Sequence, residues 1–294
     1  MADIHYKRRF GDRNDGRLLR SLAPYFKFIP FVMKDRNDAS NYFSDKIEVS
    51  DIDRWLRRQR AEGYKGLGFL HLILAAYVRT VASRPGINRF VSGQRVYARY
   101  DITVNMVVKR GMDPNAPDTA IKVIFDPTDT VYDVYRKLTE KVEEIKASDD
   151  TNNTEDVAAA LCRLPRFLLR IAVKLLYFMD YFGLIPPNLL AASPFHGSLI
   201  ITDLGSLGIP PIYHHLYNFG NLPLFLSFGA KRRAVELDDA GRPVERKYVD
   251  YTVVTDERIC DGFYYASAFK YIKHYMRNPQ LLETPPEHVE EDIF

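Results

Sequence analysis

The sequence has few of the features that mark secreted, disulfide-stabilised or membrane-spanning proteins. Its 294 residues include only two cysteines, Cys162 and Cys260, and neither lies in C-x-x-C or metal-ligand spacing. A reducing, cytoplasmic location is therefore predicted. The N-terminal stretch MADIHYKRRFGDR lacks the apolar core of a signal peptide, so secretion is not expected. No run of about 20 apolar residues is present, so no membrane-spanning helix is predicted.

A strong charge of either sign is also lacking. Lysine and arginine total 41 against 38 aspartates and glutamates, which gives a net charge of +3. This small excess, without a zinc-finger or basic-aromatic motif, does not indicate a nucleic-acid partner. The apolar residues make up 46% of the chain, which is enough for a sizeable core. No internal repeat, phosphate-binding glycine loop or G-x-S-x-G turn is present.

Apolar periodicity predicts helices and strands that do not alternate regularly. The predicted helices are 51–63, 67–83, 130–148 and 261–279, and the predicted strands are 43–49, 96–108, 119–125, 196–206, 222–230 and 245–255. Several strands follow one another without an intervening helix, which favours an α+β fold with a large mixed sheet. Residues 25–33, rich in aromatic and β-branched types around Pro30, predict an extended segment at a sheet edge.

Two segments resemble a known enzyme superfamily. Residues 256–279, DERICDGFYYASAFKYIKHYMRNP, place a D-G pair after a strand and before a helix that ends in N-P. Residues 198–208, SLIITDLGSLG, are similar to an F-T-I-S-x-L-G pattern. Both resemble the chloramphenicol acetyltransferase and dihydrolipoamide acyltransferase superfamily. The resemblance covers 15–280 as one domain, except for an apolar insert near 160–192, and leaves an N-terminal arm at 1–14 and a loose tail at 281–294.

The resemblance implies a fold, an assembly and a reaction. The fold is a two-layer α+β sandwich with a mixed sheet, and the assembly is a homotrimer with active sites between subunits. The reaction is acyl transfer from a small-molecule donor, a coenzyme A thioester, to a thiol, hydroxyl or amine, without a metal. Thr202 stands where the family has the hydroxyl that stabilises the oxyanion. Asp261 stands where it has a structural anchor, with Arg17 or Arg20 as the implied partner.

The sequence departs from the family at Glu257, where the motif H-x-x-x-D-G has its catalytic histidine. A carboxylic acid with an ordinary pKa of about 4.3 is a poor base for a thiol with a pKa of about 8.5. Burial can raise a carboxyl pKa by several units, which would suit an amine or an activated hydroxyl. Glu257 is therefore either a recruited base or a remnant that is exposed or forms a salt bridge, with Arg258 or Lys273 as the partner. The corresponding functions are an acyltransferase-like protein that transfers or binds an acyl group, and a non-catalytic trimeric scaffold or regulatory subunit.

Three other histidines can approach the same interface. His196 precedes the strand that carries Thr202, and His214 and His215 follow it. Each is either a substitute base or a loop histidine bonded to the backbone. A histidine pair with no third ligand nearby does not indicate a metal site. Cys260 replaces an apolar motif position and is interpreted as a small buried hydrophobe.

The apolar insert has three interpretations. Its charged residues recur at roughly helical intervals, and Pro165 and Pro186-Pro187 bound the predicted helix. The three are a lid over an acyl-chain pocket, a basic helix that contacts a membrane surface through 163–185, and a packed helix at a subunit contact. All three leave a large apolar surface to cover, which fits an oligomer.

Overall fold

A six-stranded mixed sheet organises the computed structural model, which describes residues 6–109, 118–147, 159 and 161–294. The strands in chain order are β1 (Gly16–Leu18), β2 (Ser40–Glu48), β3 (Arg89–Ser92), β4 (Arg95–Arg99), β5 (Ile102–Lys109), β6 (Asp118–Phe125), β7 (Leu199–Asp203), β8 (Leu224–Leu237) and β9 (Pro243–Asp256). The large sheet has the order β2-β9-β8-β7-β5-β6, and a small sheet has the order β1-β4-β3. The β5–β7 and β7–β8 pairs are parallel, and the other pairs are antiparallel.

Helices cover one face of the large sheet, which confirms the predicted two-layer α+β fold. The α-helices within the described residues are α1 (Pro24–Val32), α2 (Ser50–Ala61), α3 (Phe69–Ser83), α4 (Val131–Ala147), α5 (Arg166–Tyr181), α6 (Pro187–Ala192) and α7 (Gly262–Arg277). Helix α3 is buried over most of its length and packs beside α7 in the main core. Within the described parts of the chain, no helix is long and apolar enough to cross a membrane.

The opposite face of the large sheet, here called the outer face, carries a second and smaller core. Successive side chains of a strand point to opposite faces, so Leu199 and Ile201 join the main core while Ile200 turns outward. Ile200 packs there with Phe225 and Val254, beneath side chains of the segment 204–223. This irregular segment therefore shields part of the outer face from solvent.

Two predicted elements are wrong in detail. Residues 25–33 form helix α1 instead of an extended segment. Pro24 occupies the first helical turn, where a backbone N–H has no partner within the helix, so the missing N–H of proline costs no hydrogen bond. The predicted strand 96–108 is two strands, β4 and β5, which break at Tyr100 and Asp101 and join different sheets. Alternation continues through the break, so periodicity alone does not reveal that the two halves have different partners.

The described part of the predicted arm and the predicted tail both contact the domain. Arg13, in the predicted arm, is buried and forms ion pairs with Asp15 at 3.1 Å and Asp180 at 2.8 Å. The tail 281–294, predicted to be loose, lies against the domain through an ion pair between Asp292 and Arg89. The Glu290 N–H also donates to the Ala82 carbonyl at 2.8 Å. A polar composition suggested a free tail, but these specific polar contacts hold it in place.

Candidate functional site

Thr202 lies on the outer face in a row of hydroxyl groups that crosses four strands. It opposes Ser227 of β8, Ser227 opposes Thr252 of β9, and Thr252 opposes Ser44 of β2. The backbone of Ile212 crosses this row, donating to Ser227 Oγ at 3.4 Å and accepting from Thr252 Oγ1 at 2.6 Å. The half-buried Thr202 hydroxyl makes no hydrogen bond to any described residue. It therefore remains able to donate to a ligand.

Glu257 lies immediately after β9, at a different end of the sheet. Its N–H donates to the Ala39 carbonyl at 2.9 Å, and its Oε2 accepts from Asn41 Nδ2 at 2.8 Å. The half-buried carboxylate pairs with neither of its predicted partners. Arg258 binds Asp256, and Lys273 binds Asp45. The prediction of a salt-bridged remnant at Glu257 is therefore wrong in its partners, because closer carboxylates take both cations.

A buried ion-pair cluster fixes the end of β9 beside Glu257. Asp256 is fully buried, and Arg258 donates to its two oxygens at 2.8 and 2.7 Å. Arg36 adds a third contact at 3.3 Å, and its burial lowers the pKa of its guanidinium while Asp256 raises it. The sequence does not reveal this cluster, because Arg36 lies 220 positions from Asp256. The cluster sets the backbone from which Glu257 projects.

Asp261 caps helix α7 and does not act as an arginine anchor within one protomer. Its exposed side chain accepts a hydrogen bond from the Tyr264 N–H at 2.7 Å, and it has no ion pair among the residues described. Arg17 donates to the carbonyl oxygens of Asp292 and Ile293, and Arg20 pairs with Asp12 at 3.2 Å. The structure therefore brings neither of the predicted arginines to Asp261.

Thr202 and Glu257 are far apart within one protomer. Thr255 of β9 opposes Leu224 of β8, so Glu257 is level with Leu222, whereas Thr202 is level with Ser227. Five positions at about 3.3 Å each separate the two levels by about 17 Å along the strands. A single thioester carbonyl cannot contact both side chains of the same protomer.

The structure separates the roles of the three histidines. His196 is buried in a polar chain, with Nδ1 at 2.7 Å from Ser193 Oγ and Nε2 at 3.3 Å from Asp180 Oδ1. His215 is exposed and lies against Tyr217, with 5.0 Å between ring centroids. Neither side chain lies beside Thr202 on the outer face.

His214 is the histidine that shares the outer face with Thr202. Its ring stacks on Phe225 with 4.1 Å between centroids, and Phe225 is two positions from Ser227 along β8. Its buried Nε2 has no hydrogen-bond partner in the described structure. Burial lowers the pKa of His214, and the neighbouring His215 lowers it further, so the imidazole is neutral at pH 7. A neutral imidazole is able to accept a proton.

Two other candidate chemistries find no support in the geometry. Burial raises the pKa of Cys260 to about 12, so its thiol is not a nucleophile at neutral pH. Among the described residues, no group of three or more histidine, cysteine, aspartate or glutamate side chains is arranged to hold a metal ion.

Comparisons with known proteins support the fold and not a closer relationship. No protein-family model matches the sequence, and no curated protein matches it. A solved chain from the cubic core of the pyruvate dehydrogenase multienzyme complex aligns with a TM-score of 0.57, covering 93% of this chain and 95% of that chain at 11% identity. The chain has the acyltransferase fold. The resemblance predicted from the two sequence segments is thereby confirmed at the level of the fold.

Two further structures extend this acyltransferase-fold similarity. A dihydrolipoamide acetyltransferase from Azotobacter vinelandii has a TM-score of 0.53 at 12% identity, covering 89% of this chain and 93% of that chain. In that enzyme a serine, a histidine and an asparagine were investigated for their role in the catalytic mechanism, and the histidine and the asparagine are four positions apart. A chloramphenicol acetyltransferase has a TM-score of 0.50 at 13% identity, covering 87% of this chain and 96% of that chain.

Proposed function

We propose that this protein is a trimeric, coenzyme A-linked acyltransferase whose active sites form between protomers. The observation that carries the proposal is the separation of about 17 Å between the levels of Thr202 and Glu257. A head-to-tail interface that closes a ring joins two different surfaces of the same chain. Such an interface brings the Thr202 end of one protomer to the Glu257 end of the next. The similarity to a chain from the core of a multienzyme complex supports an assembled form.

The two side chains would divide the chemistry of acyl transfer. An amine or hydroxyl acceptor attacks the thioester carbonyl, and Glu257 takes the proton of the attacking group. Thr202 donates a hydrogen bond to the oxyanion of the tetrahedral intermediate. When the intermediate collapses, the new C–N or C–O bond remains, the C–S bond breaks, and the coenzyme A thiolate leaves and recovers the proton. Glu257 and Asp261 have the four-position spacing of the histidine and asparagine of the Azotobacter vinelandii enzyme.

His214 provides a second proton acceptor within the same protomer as Thr202. The variants Glu257→Gln and His214→Gln separate the two bases, because each removes one proton acceptor and preserves a polar side chain. A loss of transfer confined to Glu257→Gln assigns the base to Glu257, and a loss confined to His214→Gln assigns it to His214. Circular dichroism spectra of both variants must equal that of the wild type, so that a loss of transfer does not reflect unfolding.

Calorimetric titration of the purified protein with coenzyme A and acetyl-CoA tests the proposal without knowledge of the acceptor. We expect saturable binding with one site per protomer, and a trimer by light scattering. Thr202→Ala should bind with nearly unchanged affinity, since the oxyanion contact forms only during the reaction. A folded trimer that binds neither compound would contradict the proposal. It would favour a non-catalytic scaffold or regulatory subunit, which also fits the missing motif histidine.

A second candidate function, contact with a membrane surface, is favoured by the outward side of helix α5. Phe167 is 64% exposed, Ile171 58% and Phe178 54%, and all three lie on one side of the helix. Arg163, Arg166, Arg170 and Lys174 flank them, and the only acidic residue of 163–185, Asp180, is buried against Arg13. Exposed aromatic side chains flanked by cations fit the interface of an anionic bilayer.

Charge reversal on α5 should weaken binding to anionic vesicles. The variant Arg166→Glu/Arg170→Glu is expected to lower the partition coefficient by at least about 30-fold, because the loss of two cations alone costs roughly 1 kcal/mol each and the two added carboxylates are repelled by the anionic surface. Flotation with phosphatidylserine vesicles measures the change. The variant Arg54→Glu/Arg57→Glu on α2 is the matched control, with the same charge change at exposed positions elsewhere. Equal flotation of the wild type and both variants would exclude membrane contact through α5.

A further inference from the structure

The segment that carries α5 and α6 lines an apolar pocket of about 160 Å³ that is partly open to solvent. The side chains around it come from both helices, from the turn after α6 and from the loop before β8. Its apolar wall includes Leu176, Ile185, Leu189 and Phe219, and its polar wall is formed by Ser193 and His196. The sequence pattern of an apolar helix did not reveal a pocket beneath it.

The polar groups of the pocket are already satisfied by one another. Ser193 Oγ lies 2.7 Å from His196 Nδ1, and His196 Nε2 lies 3.3 Å from Asp180 Oδ1. Arg13 in turn neutralises Asp180 through its 2.8 Å ion pair. Burial lowers the pKa of His196, although Asp180 opposes this, so the wall presents no positive charge at pH 7. The pocket therefore suits an uncharged apolar group and not a free carboxylate.

The pocket adjoins the end of the sheet that carries Glu257. Phe219 belongs to the loop 217–221, and Arg36 donates to the carbonyl oxygens of Tyr217 and Gly220 in that loop. The same Arg36 pairs with Asp256, the residue before Glu257. One guanidinium thus joins the pocket wall to the backbone that positions the proposed base.

We infer that this pocket binds the acyl chain of a thioester, a linear hydrocarbon of about six carbons. The inference rests on the proposed function and specifies the acyl group. A dry apolar cavity of about 150 Å³ accommodates the six carbons of benzene, so a pocket of 160 Å³ covers a hydrocarbon of similar size. Acetyl groups leave the pocket empty, and chains much longer than six carbons exceed it.

Titration with acetyl-, butanoyl-, hexanoyl- and decanoyl-CoA tests the inference on the wild-type protein. Each buried methylene should strengthen binding by about fourfold, so the Kd should fall on the order of 10²-fold from acetyl to hexanoyl. No further gain is expected from hexanoyl to decanoyl. Equal Kd values for acetyl- and hexanoyl-CoA would overturn the pocket assignment while leaving the proposed acyltransferase function intact.

Filling the pocket should remove the dependence on chain length. Ala192 lines the pocket, whereas its neighbour Ala191 is exposed, so Ala192→Phe and Ala191→Phe are a matched pair. We expect Ala192→Phe to bind hexanoyl-CoA no more tightly than acetyl-CoA, and Ala191→Phe to behave as the wild type. Retention of the full chain-length gain in a folded Ala192→Phe would overturn the assignment.

A thioester without the nucleotide distinguishes failure of the pocket from failure of the proposed function. Hexanoyl-N-acetylcysteamine should compete with hexanoyl-CoA in the wild type and lose affinity in Ala192→Phe. If this thioester binds and coenzyme A does not, the result supports the acyl-chain pocket and contradicts the coenzyme A-linked function. If neither compound binds, the result contradicts both proposals. The chain-length series on the wild type remains decisive even if Ala192→Phe fails to fold.

Discussion

The variant Glu257→His should transfer an acetyl group from acetyl-CoA to dihydrolipoamide about 10²- to 10⁴-fold faster than the wild type. An imidazole with an ordinary pKa of about 6.5 is closer to the thiol than a carboxylate is, and it accepts the thiol proton more readily. Glu257 is half-buried, and its one described side-chain hydrogen bond is with exposed Asn41, so a ring replaces it at small structural cost. Chromatographic separation of acetyl-CoA and coenzyme A measures the rate.

Two control variants test whether the gain in rate comes from the new base and from the oxyanion donor. Glu257→Gln preserves the size and the contact with Asn41 but provides no base, and it should show no gain with the thiol acceptor. Adding Thr202→Ala to Glu257→His should lower the transfer rate by about 10²- to 10³-fold, which is the usual effect of losing one oxyanion donor. If Glu257→His is folded and trimeric but no faster than Glu257→Gln, the site between protomers is not assembled for catalysis.

Asp256→Asn should lower the free energy of unfolding by about 3–5 kcal/mol. The substitution leaves Arg36 and Arg258, which are both buried, without the carboxylate that neutralises them. Both guanidinium groups retain hydrogen bonds to backbone carbonyls, but these contacts do not replace a full negative charge. Urea unfolding followed by circular dichroism measures the loss, at one fixed protomer concentration because oligomers gain stability with concentration.

The adjacent carboxylate provides the matched control for Asp256→Asn. Glu257→Gln makes the same chemical change one position along the chain, and it should cost no more than about 1 kcal/mol because it removes one charged partner from a single hydrogen bond. A loss below 1 kcal/mol for Asp256→Asn would show that the buried cluster does not depend on the central charge. Near-equal losses in the two variants would lead to the same conclusion.

The local sequence was sufficient to predict the fold class. Alternation of apolar residues identified β9, short strand-like runs identified β2, β6 and β8, and the long apolar run identified the buried helix α3. These patterns are local because a strand or helix repeats its exposed and buried positions within a few residues. The D-G context after β9 and the T-D-L-G segment of β7 were specific enough to indicate the acyltransferase fold, which the structure comparisons confirm.

Long-range contacts decided the features that the local patterns did not predict. The split between β4 and β5, the pairing of Arg36 with Asp256 and the polar chain from Ser193 to Asp180 each depend on segments distant along the chain. Residue type and periodicity report which positions are buried, but they do not report which buried groups meet. The apolar pocket beneath α5 also depends on long-range contacts, because it forms only where the helix meets loops that are distant along the chain.

The candidate site combines both sources of information. Thr202, Glu257 and Asp261 follow from sequence motifs, and their assigned roles in transfer remain predictions. Only the tertiary structure places Thr202 and Glu257 at different ends of the sheet, Asp261 at a helix cap and His214 on the outer face beside Phe225. The physical reason is strand register: a motif specifies a position along one strand, whereas the distance between two positions depends on how neighbouring strands align.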